Sequence, residues 1–203
     1  PKVFVFDETA ANRVCKFIEC LTHVKGNLAG QRIHLEPWQV FILTTVFGWK
    51  TQDGRRRFRR VYIEVPRGNG KSCLSSGVAL YCLCADKEPG AEIYSFATTR
   101  DQAKIVFGDA KRMAEMNKDL RSAFGLEVLA NALYLPNAGS TFQPRSAEGS
   151  TLDGLNTHLA VIDELHAHKT RAVYDVVETS LGKRLNSLMW VITTAGFDKT
   201  GIC

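Results

Sequence analysis

The chain has 203 residues, with 45% hydrophobic and 23% charged residues and a net charge of +5. That is enough for one domain with a substantial core, and the balance excludes a disordered or fibrous chain. No apolar run is long enough for a membrane-spanning helix, the start has no secretory pattern, and the modest positive charge suits a polyanionic partner without requiring one. The six cysteines, Cys15, Cys20, Cys73, Cys82, Cys84 and Cys203, include no C-x-x-C pair. They read as reduced packing thiols in a cytosolic compartment, not as zinc ligands. The chain begins "PKVFVFDETA" without methionine and ends "DKTGIC" just after an apparent strand, so we expect a portion of a longer protein.

In chain order, Asp7 is placed to cap a helix through about Lys25, with Val14, Phe17, Ile18 and Leu21 on one face. Gly26 to Gly30 reads as a loop. A second helix is expected from Pro37 through "WQVFILTTVFGW", then a turn at "TQDG" and a strand ending at Val65. A helix of small and apolar residues starts near Lys71. "EIYSFAT" reads as a buried strand, and Thr99 as the cap of a helix to about Met116. "LEVLANALYLPNAGSTFQP" suggests short strands joined by Asn-Ala and Asn-Ala-Gly turns. "HLAVIDE" is another buried strand, "TRAVYDVVETSL" a helix and "SLMWVITTAG" a final strand. Strands alternating with helices predict an α/β fold with a mainly parallel sheet and helices on both faces.

"VPRGNGKS", Val65–Ser72, follows one of these strands and opens a helix. In a P-loop, backbone N–H groups at a helix N-terminus converge on phosphate oxygens, where the dipole favours anions. Gly68 and Gly70 can adopt the required backbone angles, Lys71 would reach the β- and γ-phosphates, and the Ser72 hydroxyl would bind Mg²⁺. The first glycine of the usual pattern is replaced by Val65, followed by Pro66 and Arg67. The strand "LAVIDE" ends in Asp163 and Glu164. Asp163 would hold Mg²⁺ through water, and Glu164 would polarise an attacking water as general base. A glycine turn with a solvated lysine is the plain reading of the first motif, and an ordinary acidic loop that of the second. Their joint occurrence at strand ends favours ATP binding and hydrolysis. Thr193 and Thr194, at the end of a third buried strand, are candidates to sense the γ-phosphate.

Together, "LEPWQVFIL", "VPRGNGKS", "SFATTRDQA" and "VIDELHAH" followed by "ITTAG" resemble the ATPase domain of tailed-phage terminase large subunits, which drive DNA packaging. The resemblance covers most of the chain. It implies a P-loop NTPase of the additional-strand, catalytic-glutamate (RecA-like) class, with the "ITTAG" strand between the two nucleotide-site strands. It implies one N-terminal ATPase domain over 1–203: a helical segment with the adenine motif over 1–57 and the P-loop core over 58–203. The family's C-terminal nuclease is expected to be absent from this chain.

The resemblance also implies roles. Gln39 would recognise adenine, against the plain alternative of a surface glutamine at a helix start. Pro66, Arg67, Gly68, Asn69, Gly70, Lys71 and Ser72 would hold ATP, with Arg67 also neutralising charge in the transition state. Thr193, Thr194 and Gly196 match the motif coupling hydrolysis to DNA movement. An arginine supplied by a neighbouring subunit is expected, with Arg145 favoured over Arg100, although a surface salt bridge is the plain reading of each. Asp153-Gly154 stands where some relatives have an arginine before the glycine, so that assignment does not transfer. The expected ligands are ATP and Mg²⁺. Expected partners are double-stranded DNA, a portal protein, a small terminase subunit and further copies of the chain in a ring, acting in the cytoplasm of the infected host. A helicase-like or restriction-type DNA translocase and a nucleotide-dependent assembly module with little hydrolysis are the competing readings.

Other features are read plainly. "GRRRFRR", Gly54–Arg60, could grip DNA phosphates, but an edge strand kept soluble by arginines is favoured. His166 and His168 read as loop residues past a strand end, and Asp101, Lys104, Lys111 and Arg112 as the solvated face of a helix.

Overall fold

The computed structural model describes residues 3–98, 100–146, 154–168 and 170–194, without the side chains of Arg100, Asp101 and Ser146. Its elements run β1 (Phe4–Phe6), α1 (Glu8–Glu19), α2 (Pro37–Gly48), β2 (Trp49–Thr51), β3 (Arg60–Glu64), α3 (Lys71–Cys84), β4 (Glu92–Ala97) and α4 (Arg100–Met116). They continue with α5 (Lys118–Phe124), β5 (Glu127–Val128), β6 (Leu133–Leu135), β7 (Ser140–Ser146), β8 (Thr157–Asp163), α6 (Ala172–Ser180) and β9 (Leu188–Thr193).

Seven strands form one sheet in the order β3-β9-β8-β4-β7-β6-β5. The first five are parallel, while β6 and β5 add as antiparallel strands at one edge. β9 lies between β3 and β8, as the additional-strand class requires. Side-chain alternation assigns the two faces. Ile93, Leu159, Val161, Trp190 and Ile192 join a core with residues of α1, α2, α3 and α4. Tyr94, Phe96, Ala160, Ile162, Met189 and Val191 face the other way, onto Val173 and Val177 of α6. Near-continuous apolar strands are what a sheet covered on both faces demands. Trp190, fully buried, anchors α3 by donating its indole N–H to Ser75 Oγ at 3.0 Å.

Asp7 caps α1 as expected, accepting Ala10 N–H at 2.9 Å. The helix stops at Glu19 instead of continuing to Lys25. The backbone beyond it turns back on itself: His23 N–H donates to the Gln31 carbonyl and Ile33 N–H to the Leu21 carbonyl. Those groups have non-helical partners, so extending the helix would gain nothing. α2 ends at Gly48 because Trp49 turns extended, and Trp49–Thr51 pairs antiparallel with Phe4–Phe6, a small sheet the periodicity did not suggest. α5 was also unforeseen, although its signals are present: Asn117 accepts Leu120 N–H, and Gly125 ends the helix at φ 66°. Pro144 is tolerated inside β7 because β6 pairs only with residues 140–142 of that strand. Thr99 lies outside the described residues.

The "GRRRFRR" run requires a correction. Only Arg60 belongs to β3, and residues 55–59 precede it. Arg56 is buried against Asp86, Arg57 stacks on Phe4 with its guanidinium carbon 4.3 Å from the ring centre, and Arg59 donates to the carbonyls of Leu181 and Arg184. Arg56 and Arg59 fasten the fold, while Arg55, Arg57 and Arg60 are exposed, and only Arg60 lies on the edge strand β3, paired with Glu178.

Candidate active site

The loop between β3 and α3 is built on two left-handed glycines, Gly68 at φ 86° and Gly70 at φ 70°. A side chain at either would meet the steric penalty of that region. The loop carries α3, a buried 14-residue helix, so the N-terminal N–H groups of a long helix open onto it. Lys71 is 8% exposed, and its Nζ donates to the Val65 and Pro66 carbonyls, each at 3.1 Å. Asn69 Nδ2 donates to the Pro66 carbonyl, also at 3.1 Å. The ammonium is thus held across the mouth of its own loop by carbonyls that an anionic ligand can replace.

Sheet register brings the acidic pair to the same edge. Glu64 of β3 lies beside Thr193 of β9, and Ile192 beside Asp163 of β8. Val65 N–H continues this pattern by donating to the Thr193 carbonyl at 3.2 Å. Asp163 is 6% exposed, and burial, reinforced by the neighbouring Glu164, pushes its pKa up to about 6; Lys71 offsets this in part. A buried carboxylate that is costly to ionise has the chemistry of a cation ligand, and Asp163, together with the hydroxyl of half-buried Ser72 at the start of α3, supplies oxygen donors of the kind Mg²⁺ takes.

This strain has a measurable consequence. Asp163 has a folded pKa above the ordinary carboxylate range, so its contribution to stability is complete below about pH 4 and lost as pH rises through about 6. In the absence of nucleotide and divalent cation, Asp163→Asn is expected to be more stable than wild type at pH 8 by about 2 kcal/mol. The difference should vanish near pH 4. Thermal unfolding at both pH values measures it; an Asn variant no more stable than wild type at pH 8 would refute the assignment.

Glu164 is one of two described non-glycine residues with positive φ, at 50°. It turns the chain out of β8 into a short 3-10 turn, Leu165–Ala167. Its Oε2 accepts from Thr194 Oγ1 at 3.4 Å and lies 3.2 Å from His166 Nδ1. Thr193 is fully buried and Thr194 8% exposed. His168 Nε2 donates to the Asp163 carbonyl at 3.3 Å, tying the turn to the strand end. Gly196 lies outside the described residues.

Gln39, 8% exposed, sits in the first turn of α2, where its Oε1 accepts Glu36 N–H at 3.0 Å. Its Nε2 faces the P-loop, 3.7 Å from where a side chain on Gly70 would begin. Together with Trp38, His34, Leu35, Gly68 and Asn69 it lines a cavity of about 800 Å³. That space suits a base beside a phosphate loop. A larger groove, about 950 Å³, opens between α1, α5 and the far end of α3 and is lined by none of the P-loop residues.

The arginines separate. Arg67 is exposed and has no hydrogen bond or ion pair among the described residues. Arg145, on β7, donates to Gln143 Oε1 at 3.1 Å and stacks 5.4 Å from the Tyr94 ring centre. β4 separates β7 from β8, so Arg145 is not gathered to the loop. The sequence reading missed His166, whose partner is 27 residues away. It also missed a buried cluster in which Asp86 Oδ2 binds both Arg56 Nη2 and His158 Nε2 at 2.7 Å. Cys82 adjoins this cluster, but the Arg56 cation already occupies the carboxylate, which disfavours a second cation there. Burial raises Cys73 to about 11 and Cys84 to about 12, in keeping with packing thiols.

Residues 37–203 match the family described as terminase large subunit, ATPase domain. The chain is 30% identical over 190 residues to the terminase large subunit of Enterobacteria phage HK97, covering 92% of this chain and 37% of that one. It is 23% identical over 184 residues to the terminase large subunit of Lactococcus phage p2, covering 87% and 34%. The solved HK97 large terminase superposes with a TM-score of 0.79 at 27% identity, covering 95% of this chain and 39% of that one. The chain therefore spans little more than a third of the large subunits it matches.

Proposed function

Because the chain belongs to the terminase large subunit ATPase-domain family, we propose that it binds ATP at Val65–Ser72 and hydrolyses it with Glu164 as general base. In the assembled machine this turnover would drive double-stranded viral DNA into a procapsid. One observation carries the reading: the P-loop, Thr193 and the Asp163-Glu164 pair share one edge of a parallel sheet, with Thr193 between the other two. An open α/β sheet takes its ligands at the carboxyl ends of its strands.

Phosphates would dock on the N–H groups that open α3, and Lys71 would exchange its loop carbonyls for β- and γ-phosphate oxygens. Ser72 and Asp163 would hold Mg²⁺, which supplies charge neutralisation on the phosphates when bound. Glu164 orients water and accepts its proton. Adenine would occupy the cavity beside Gln39, whose Nε2 remains to donate. Arg67, exposed at the loop, would meet charge developing on the transferred group, and Thr193, Thr194 and Gly196 would pass the nucleotide state onward. Arg145 or Arg100 would serve a neighbouring copy in a ring. A portal protein and a small terminase subunit would be the other partners, in the cytoplasm of the infected host.

Lys71→Ala should weaken ATP binding about 10- to 100-fold, the value of one or two charge-assisted bonds to phosphate. Fluorescent-nucleotide titration with Mg²⁺ measures it. Unchanged affinity in this variant would remove the phosphate cradle from the proposal.

A further inference from the structure

The turn after β8 connects the candidate base to the strand beside it through one side chain. His166 Nδ1 lies 2.9 Å from Thr193 Oγ1 and 3.2 Å from Glu164 Oε2, and His166 backbone N–H donates to the same Thr193 oxygen at 3.2 Å. Thr193 Oγ1 in turn donates to the Thr194 carbonyl at 3.1 Å. Its hydroxyl proton is therefore committed, and it can only accept from the imidazole. A carboxylate beside Nδ1 likewise calls for a proton on that nitrogen, so the network assigns the Nδ1–H tautomer. Glu164 Oε2 accepts from Thr194 Oγ1 on one side and is contacted on the other by His166 Nδ1, whose N–H is bonded to Thr193 Oγ1. Oε1 has no described partner and remains for a water.

From this geometry we infer that His166 is a positioning residue for ATP hydrolysis, fixing the Glu164 carboxylate and linking it through Thr193 to the P-loop. The last link is the Val65 N–H bond to the Thr193 carbonyl. A shift of the phosphate loop thus reaches the base through the hydrogen bonds that Val65 and His166 make to Thr193 and through the 3.2 Å contact of His166 Nδ1 with Glu164 Oε2. Glu164 needs such support because it sits in a left-handed backbone conformation and is only partly buried, with a side chain 33% exposed. Left to its own rotamers it would sample many positions, and a displacement of an ångström costs a general base about 100-fold. His166, 23% exposed and anchored by its own backbone N–H, is stiff enough to provide the support.

The inference rests on the ATPase reading, and the test separates the two. Steady-state ATP turnover and fluorescent-nucleotide affinity would be measured for wild type, His166→Ala, His166→Asn and His166→Gln, with thermal unfolding to verify folding. Asn can place an N–H where Nδ1 stands; Gln places one nearer to Nε2. We expect His166→Ala and His166→Gln to lose about 10- to 100-fold in kcat with affinity changed less than about two-fold. His166→Asn should recover most of that loss. Adding His166→Ala to Glu164→Gln should cost little more, because the two act as one unit. Equal kcat in wild type and His166→Ala overturns the inference, as does a loss confined to affinity or a failure of Asn to rescue better than Gln. Absence of turnover in wild type would instead remove the ATPase reading, and this inference with it.

Discussion

Glu164→Gln should reduce ATP turnover by about 10²- to 10⁴-fold, the usual contribution of a positioned general base, while nucleotide affinity stays within about two-fold of wild type. The substitution keeps the size of the side chain and an oxygen that can accept from Thr194, so the hydrogen bond at 3.4 Å and the 3.2 Å contact with His166 have counterparts in the variant. The left-handed backbone at this position bears equally on Glu and Gln, so folding stability should be unchanged. What disappears is the capacity to take a proton from water. The variant therefore differs in kind from Lys71→Ala, which should fail at binding. A Glu164→Gln protein turning over ATP within about three-fold of wild type would show that another group acts as base. A wild type that binds ATP tightly and turns it over no faster than this variant would favour a nucleotide-dependent assembly role.

The phosphate loop and the acidic strand end are legible in the sequence because both are local. Gly68, Gly70, Lys71 and Ser72 act through backbone angles and spacing that a few adjacent residues dictate. "LAVID" announces a strand buried on both faces through its unbroken apolar run alone. The position of β9 between β3 and β8 could be expected only through the family resemblance, since nothing in its own residues specifies its neighbours. What local patterns do not carry is side-chain contact at long range. His166 reads as an ordinary loop histidine until β9 brings Thr193, 27 residues on, to its Nδ1. "GRRRFRR" reads as surface charge because its partners, Asp86 and the carbonyls of Leu181 and Arg184, lie 30 to 125 residues away. α5 is the opposite case: Asn117 and Gly125 frame it in the sequence, and the short helix was overlooked.

The largest stability effect should come from that buried arginine cluster, which ties the end of α3 to the segment before the phosphate loop. Arg56 and His158 side chains are 2% and 1% exposed, and both bind Asp86, just past the end of α3. Burial would raise the Asp86 pKa, but Arg56 and His158 outweigh it and hold the carboxyl below its ordinary range. The guanidinium also lies over the Phe47 ring, 4.7 Å from its centre, which partly covers the buried Nε and Nη1 that have no hydrogen-bond partner among the described residues. Asp86→Asn leaves the Arg56 cation desolvated without a counter-charge, and breaking such a pair costs about 3–5 kcal/mol. For a chain of this size the melting temperature should fall on the order of 10 °C. A group with a depressed folded pKa contributes stability above its ordinary pKa and loses it as pH falls through the lower folded value. The gap between wild type and Asp86→Asn should therefore be widest near neutrality and narrow below about pH 4. Replacing both charges, Arg56→Met with Asp86→Leu, should cost clearly less than the sum of the single changes, because no ion is left stranded. Chemical denaturation of Asp86→Asn, of the two single changes Arg56→Met and Asp86→Leu, and of their double decides it: additive losses, or an Asp86→Asn protein within about 1 kcal/mol of wild type, would mean that this contact does not fasten α3 to the segment preceding the phosphate loop.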